Sequence, residues 1–154
     1  MNIRPVTMKD KHVWMSLAHE EDKIVKDLIT DLSIFYEGFE KYMEAKIIQN
    51  EAYMAVDKIS TQCIGVVAFS KKYNRITFLG VSKKYDFDKI GSRLIEFTLF
   101  KLDNTKDISA NVLKGNHERL LEARRLYEKF GFVEYDNTIF EAGVPACMMK
   151  LYHI

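Results

Sequence analysis

The stretch that most constrains the fold is Ile76 to Phe97, ITFLGVSKKYDFDKIGSRLIEF. It opens as an apolar, partly β-branched run, Ile76 to Val81, the pattern of a buried strand. A polar segment from Ser82 to Asp88 follows. From Lys89 and Ile90 onward the apolar positions switch to helical spacing. A strand that feeds a helix through so short a loop aims the helix's first unbonded N–H groups at one point. Those groups and the helix dipole attract anions, phosphates above all. The junction therefore reads as a phosphate-facing site around which the remaining elements must be arranged.

The 154 residues suit one domain spanning 1–154, and 47% hydrophobic residues can fill a core. A net charge of +1 argues against a nucleic-acid partner, which calls for a strongly basic face. Met1 to Pro5 lacks the apolar centre of a signal peptide, and no apolar run is long enough for a bilayer. Cys63 and Cys147 lie far apart inside apolar runs. They read as buried, reduced thiols without metal-ligand spacing. Together these features lead to the expectation of a cytoplasmic protein that uses no metal, membrane or nucleic acid.

In chain order, Asn2 to Val6 reads as a strand. Thr7 with Asp10 resembles a capping box before a helix from Met8 to His19. Glu20-Glu21-Asp22 starts a further helical stretch, with Ile24, Leu28 and Leu32 on its apolar side. Ile34 to Gln49 is the clearest helix of the first half, through Phe35, Phe39, Tyr42, Met43 and Ile47. Gly38 inside it marks a break or a place where something approaches the backbone. Three strands follow, Glu51–Val56, Cys63–Phe69 and Arg75–Val81, with short connections that suggest an antiparallel meander. After the junction helix, Ile108 to Leu113 is a strand and His117 to Phe130 a helix, N-capped by Asn116 and ended by Gly131. Phe132 to Tyr135 is a strand, Asp136 to Pro145 a loop, and Ala146 to Tyr152 a closing strand. Its edge could be offered to a partner chain, so a homodimer is possible and the oligomeric state stays open. The result is a mixed α/β (α+β) architecture.

This order, with three local motifs, resembles the GCN5-related N-acetyltransferase (GNAT) superfamily. IRPVT at Ile3–Thr7 matches the opening strand and cap. VSKKYDFDKIGSRL at Val81–Leu94 sits where the family has its acyl-CoA pyrophosphate loop. LYEKFGF at Leu126–Phe132 matches the family's late helix. The resemblance implies a central, mostly antiparallel mixed sheet of six to seven strands flanked by about four helices. The loop departs from the family's Arg/Gln-x-x-Gly-x-Gly/Ala pattern. Over Asp86-Phe87-Asp88-Lys89-Ile90-Gly91 only the last small residue is kept. Asp86 stands for the basic or amide residue, and Lys89 for the first glycine. Leu120 stands where the family often has an Asn.

The resemblance further implies transfer of an acetyl group from acetyl-CoA to the primary amine of a small molecule or peptide, by direct attack. It implies cofactor contacts at Leu79, Val81, Phe87, Asp88, Lys89, Ile90, Gly91 and Ser92, with backbone N–H groups near Leu79 to Val81 polarising the thioester carbonyl. Tyr127 becomes the group that protonates or hydrogen-bonds the departing thiolate; its spacing alone equally fits a core tyrosine. Tyr36, Glu37 and Phe140 are the candidate acceptor-binding residues, and are expected to be exposed. For the general base no single residue stands out. Arg75, where some relatives carry a glutamate, cannot serve. Glu37, Glu40, His117 or a water relay stay open. The altered loop also admits a domain that binds acyl-CoA or a protein partner without turnover.

Overall fold

In the computed structural model, which describes residues 1–141 and 143–153, one seven-stranded sheet carries helices on both faces. The elements are β1 (Asn2–Pro5), α1 (Lys11–His19), α2 (Asp22–Leu28), α3 (Leu32–Ile48), β2 (Ala52–Val56), β3 (Cys63–Ser70), β4 (Arg75–Val81), α4 (Phe87–Lys101), β5 (Ile108–Leu113), α5 (Glu118–Lys129), β6 (Val133–Glu141) and β7 (Val144–Leu151). A single 3-10 turn, Met8–Asp10, precedes α1. The sheet order is β1-β2-β3-β4-β5-β7-β6. Every neighbouring pair is antiparallel except β4 and β5, which are parallel and joined through α4. Among the described residues no helix is long and apolar enough to cross a membrane.

The central strand β3 explains the layering. Its run CIGVVAFS is apolar at nearly every position, the signature of a strand covered on both faces. Ile64, Val67 and Phe69 pack with Leu94, Ile95 and Leu126 beneath α4 and α5. Val66 and Ala68 pack with Trp14, Met43 and Ile47 beneath α1 and α3. Trp14 is fully buried and meets Phe39, Tyr42 and Phe78 edge-on or tilted at 5.6–6.4 Å between ring centres.

The Thr7–Asp10 pairing forms: the Asp10 carboxylate accepts the Thr7 N–H at 2.9 Å and also holds Arg4 at 2.8 Å. Those hydrogen bonds to the charged form keep Asp10 far below the usual carboxylate range. Five α-helices are present among the described residues, in line with the expected flanking layer of about four. The acidic segment at Glu20–Asp22 starts its own short helix, α2, and Asp31 then caps α3 by accepting the Ile34 N–H at 3.2 Å. α3 therefore begins at Leu32, two residues before the expected start, and it is unbroken at Gly38. α5 is preceded by His117 at its N-cap, one residue beyond Asn116, and its side chain makes no capping bond.

The largest correction lies at residues 136–145. Asp136–Glu141 is not a loop but the second half of β6, and Val144 and Pro145 open β7, with residue 142 outside the described residues. Asp136 Oδ1 accepts both the N–H and the hydroxyl of Thr138, at 2.8 and 2.6 Å, and the β6–β7 register shifts there. That side-chain-to-backbone bonding is turn chemistry, which is why Asp136-Asn137-Thr138 reads as a loop. Here it makes a bulge inside a continuing hairpin.

Candidate functional site

β4 and β5 are in register only at Arg75↔Ser109 and Ile76↔Ala110, and beyond these pairs they diverge. On its other side β4 stays paired with β3 as far as Val81, with Thr77 the extra residue where the register shifts. The Ser82 N–H donates to the Ile64 carbonyl on β3 at 2.9 Å. By the alternation of an extended strand, the N–H groups of Val81 and Leu79 then point the other way, into the gap. A cavity of about 730 Å³ opens there. Its walls are the free ends of β4 and β5, the end of α1, the helices α2 and α3, the start of α4 and the inner face of α5.

Three polar groups converge on this cavity from distant parts of the chain. Tyr127 projects from α5, is 3% exposed, and stands edge-on to Phe132 at 5.3 Å. Its hydroxyl has no hydrogen-bond partner among the described residues. Burial, and then the nearby Glu141 and Tyr42, push it well above the ordinary phenol range. Tyr42, on α3, shares a 2.5 Å hydrogen bond with Thr77 Oγ1 at the β4 bulge. Glu141 comes from the end of β6. Burial raises its carboxyl from 4.5 to about 7, against the opposing pull of Arg75. The buried Oδ1 of Asn111, on β5, also has no partner among the described residues, and Asn111 lines the same cavity.

The β4–α4 junction is more crowded with charge than a bare helix N-terminus. Asp86 is the N-cap of α4 and accepts the Lys89 N–H at 3.1 Å. Glu20, from the end of α1, accepts the Lys83 N–H at 2.8 Å. Asp88 pairs with Lys129 of α5 at 3.1 Å, and Lys129 also reaches Ser92 Oγ at 3.4 Å. Gly91 is buried where a Cβ would stand 2.5 Å from Leu126 Cδ2, so here the glycine lets α4 and α5 pack closely. Of the eight residues expected to hold a cofactor, Leu79, Val81 and Phe87 line the cavity. Asp88, Lys89 and Ser92 lie on the outer turn of α4, and Ile90 and Gly91 face its core.

The acceptor candidates separate. Tyr36 lines the cavity but is buried, contrary to the expected exposure. Its hydroxyl donates to Asp22 and its ring lies against His19 at 4.0 Å. Glu37 is exposed, 3.9 Å from Lys41, and faces a shallower hollow beside His19 and Asp22. Phe140 is exposed on β6, outside the cavity lining. Gly38 does line the cavity, with open space where a side chain would be. Sequence reasoning missed Glu141, Asn111 and Glu21. Glu21 has a buried, unpartnered Oε2 and sits 3.7 Å from Arg119. Only alternation along a strand at residues 136–141 could have drawn attention to Glu141.

A mixed sheet split between two parallel strands, with a helix N-terminus at the mouth of the split, defines an acyl-transfer scaffold of the GNAT type. The acetyltransferase (GNAT) domain family matches residues 15–153, and the chain belongs to that family. No curated protein matches the chain. Among solved structures it is similar to a GNAT-family acetyltransferase from Staphylococcus aureus Mu50 (15% identity, TM-score 0.71), with 99% of each chain covered. It is similar to a ribosomal-protein-alanine N-acetyltransferase from Brucella melitensis (14% identity, TM-score 0.69), again with 99% of each chain covered. A chain of the NatC complex, bound to Gag peptide and CoA, aligns over 98% of this chain and 97% of its own (20% identity, TM-score 0.67).

Proposed function

We propose that this acetyltransferase moves an acetyl group from acetyl-CoA to the nitrogen of an amine. The observation that carries the reading is the split between β4 and β5, with two strand-edge N–H groups on one side and the unbonded Tyr127 hydroxyl on the other. The free edge of β4 and the orphaned Asn111 Oδ1 suit an amide-bearing arm laid along the gap, which has hydrogen-bond donors and acceptors of its own. Bound acetyl-CoA supplies an activated thioester. The N–H groups of Leu79 and Val81 would polarise its carbonyl, since fixed donors favour the charge that develops on oxygen. Tyr127 would hydrogen-bond the departing sulfur. With its phenol pushed upward by burial, it keeps its proton until a thiolate forms. Phe87, Asp88, Lys89, Ile90, Gly91 and Ser92 form the α4 end at which the phosphates would sit.

The acceptor side is walled by Ile24, Val25, Ile29, Phe35 and Phe39, with Tyr36 behind them. Such walls favour an amine carried on an apolar body, from a small molecule or a peptide. The Brucella relative is named as a ribosomal-protein-alanine N-acetyltransferase and the NatC complex is bound to Gag peptide, which makes a peptide amine a natural first candidate. A second reading, acyl-CoA binding without turnover, draws on Glu20 and Asp86, which already occupy N–H groups of the junction.

The test is acetyl-CoA binding by calorimetry, with thiol release measured over an amine panel of spermidine, an alanine-starting peptide and phenethylamine. Micromolar-range binding with acceptor-dependent thiol release is expected. Tyr127→Phe should cut turnover by about tenfold or more while leaving acetyl-CoA affinity within about twofold. Binding without release on any acceptor would favour the second reading. No binding at millimolar acetyl-CoA would overturn both.

A further inference from the structure

Amine acetylation needs a group that Tyr127 cannot supply. A primary amine is an ammonium ion at neutral pH, with no lone pair to attack a carbonyl, so a proton must leave first. Of the carboxylates in the lining other than Glu141, Glu21 lies 3.7 Å from Arg119 and Asp31 is engaged in capping α3. Glu37 and Glu40 lie outside the cavity lining, and Glu40 holds Lys11 at 2.9 Å. His117 precedes α5 and is 3.1 Å from Asp27.

We infer that Glu141, at the end of β6 where the chain turns into β7, is the general base that deprotonates the acceptor amine. Its side chain lines the same cavity as Tyr127, Tyr42 and the free end of β4. It takes part in no hydrogen bond or ion pair among the described residues, so no partner holds it in one protonation state. The charged and titratable groups that act on this site are Arg75 from β4, Tyr42 from α3 and Tyr127 from α5. The two phenols are neutral, and Arg75 opposes the effect of burial without cancelling it. The carboxyl titrates at about 7, where a base can both accept a proton and return it to solvent.

The step balances. The ammonium gives one proton to the Glu141 carboxylate, and the freed lone pair forms the C–N bond. The C–S bond breaks with its electron pair on sulfur, and the second nitrogen proton passes to that sulfur. Glu141 then releases its proton to water, so one ammonium and one thioester yield one amide, one thiol and one proton.

This role rests on the N-acetyltransferase reading, and the experiment keeps the two apart. For wild type and Glu141→Gln, kcat/KM is followed from pH about 6 to about 9.5, the range between carboxyl and amine titration. The acceptors are the best amine of the panel and hydroxylamine, which is largely neutral at pH 7 and needs no base. Acetyl-CoA binding is measured on both proteins, and the Glu141 carboxyl of the wild type is titrated by 13C NMR. The wild-type profile should rise with pH and level off near 7. The variant should lose about a hundredfold on the amine at pH 7 and climb without levelling toward the amine's own pKa of about 10. Hydroxylamine should lose far less, and acetyl-CoA affinity should not change. An unaltered pH profile, equal losses on both nucleophiles, or a carboxyl titrating near 4.5 would each overturn the role of Glu141 while leaving the acetyltransferase reading in place. Absent binding or absent turnover in the wild type would remove that reading, and the base with it.

Discussion

At the scale of single residues, Glu141 couples the site to the stability of the fold. Its carboxyl is raised from 4.5 to about 7 by burial. Between those values the folded chain holds a proton that the unfolded chain has released. Stability is therefore lost as pH rises through that window, and above it the fold carries the cost of a half-buried charge. Glutamine cannot ionise, so Glu141→Gln should match the wild type near pH 4 and exceed it at pH 8, by a few degrees in Tm. Thermal unfolding at the two pH values checks this. An advantage equal at both would mean that charge burial is not its source. Tyr127 shows what spacing could say. LYEKFGF pointed to a functional tyrosine, while its place on the apolar face of α5 fitted a core one. The structure places it fully buried on the cavity wall, with its hydroxyl unbonded among the described residues.

At the scale of elements, α4 sets two demands against each other. A helix wants a carboxylate or small polar group at its N-cap, and Asp86 supplies one by accepting the Lys89 N–H. A pyrophosphate at the same end would meet that charge and Asp88 beside it. Asn caps a helix about as well as Asp but is neutral. Asp86→Asn should therefore leave thermal stability nearly unchanged and tighten acetyl-CoA by about threefold to fivefold, the scale of one charge at a helix terminus. Calorimetry at low and at high salt is the measurement. The gain should shrink as salt screens it, and unchanged affinity at low salt would show that the phosphates sit elsewhere. The helices were legible in the sequence because each carries a local period of apolar residues. The β6–β7 hairpin was not, because Asp136 and Thr138 spell a turn and only pairing with β7 makes it a bulge. Glu141 was hidden with it.

At the scale of the whole molecule, the site is made by what the sheet fails to do. The parting of β4 from β5 after two register pairs belongs to neither strand. It reflects the long parallel connection through α4 and the pull of β7 along all of β5, and no local pattern records such non-local geometry. The element order was readable and the cavity was not. Across the gap, the wall of α2 meets α5 through Glu21–Arg119 at 3.7 Å and Asp27–His117 at 3.1 Å. Both are partly exposed pairs of small individual value, so the two walls are held together weakly. A ligand that fills the gap and bridges β4, β5 and α5 should then tie the halves of the molecule together. With acetyl-CoA at about 100 times its Kd, mass action contributes about 2.7 kcal/mol. For a chain of this size that corresponds to a rise of roughly 5–10 °C in Tm. Hydrogen exchange in the same samples should slow most in α2, the free end of β4 and the β6–β7 hairpin, which bound the cavity, and least in β1, which does not line it. Stabilisation without protection at those elements would place the ligand outside the gap, and the reading of the β4–β5 split as the acyl-CoA channel would have to be abandoned.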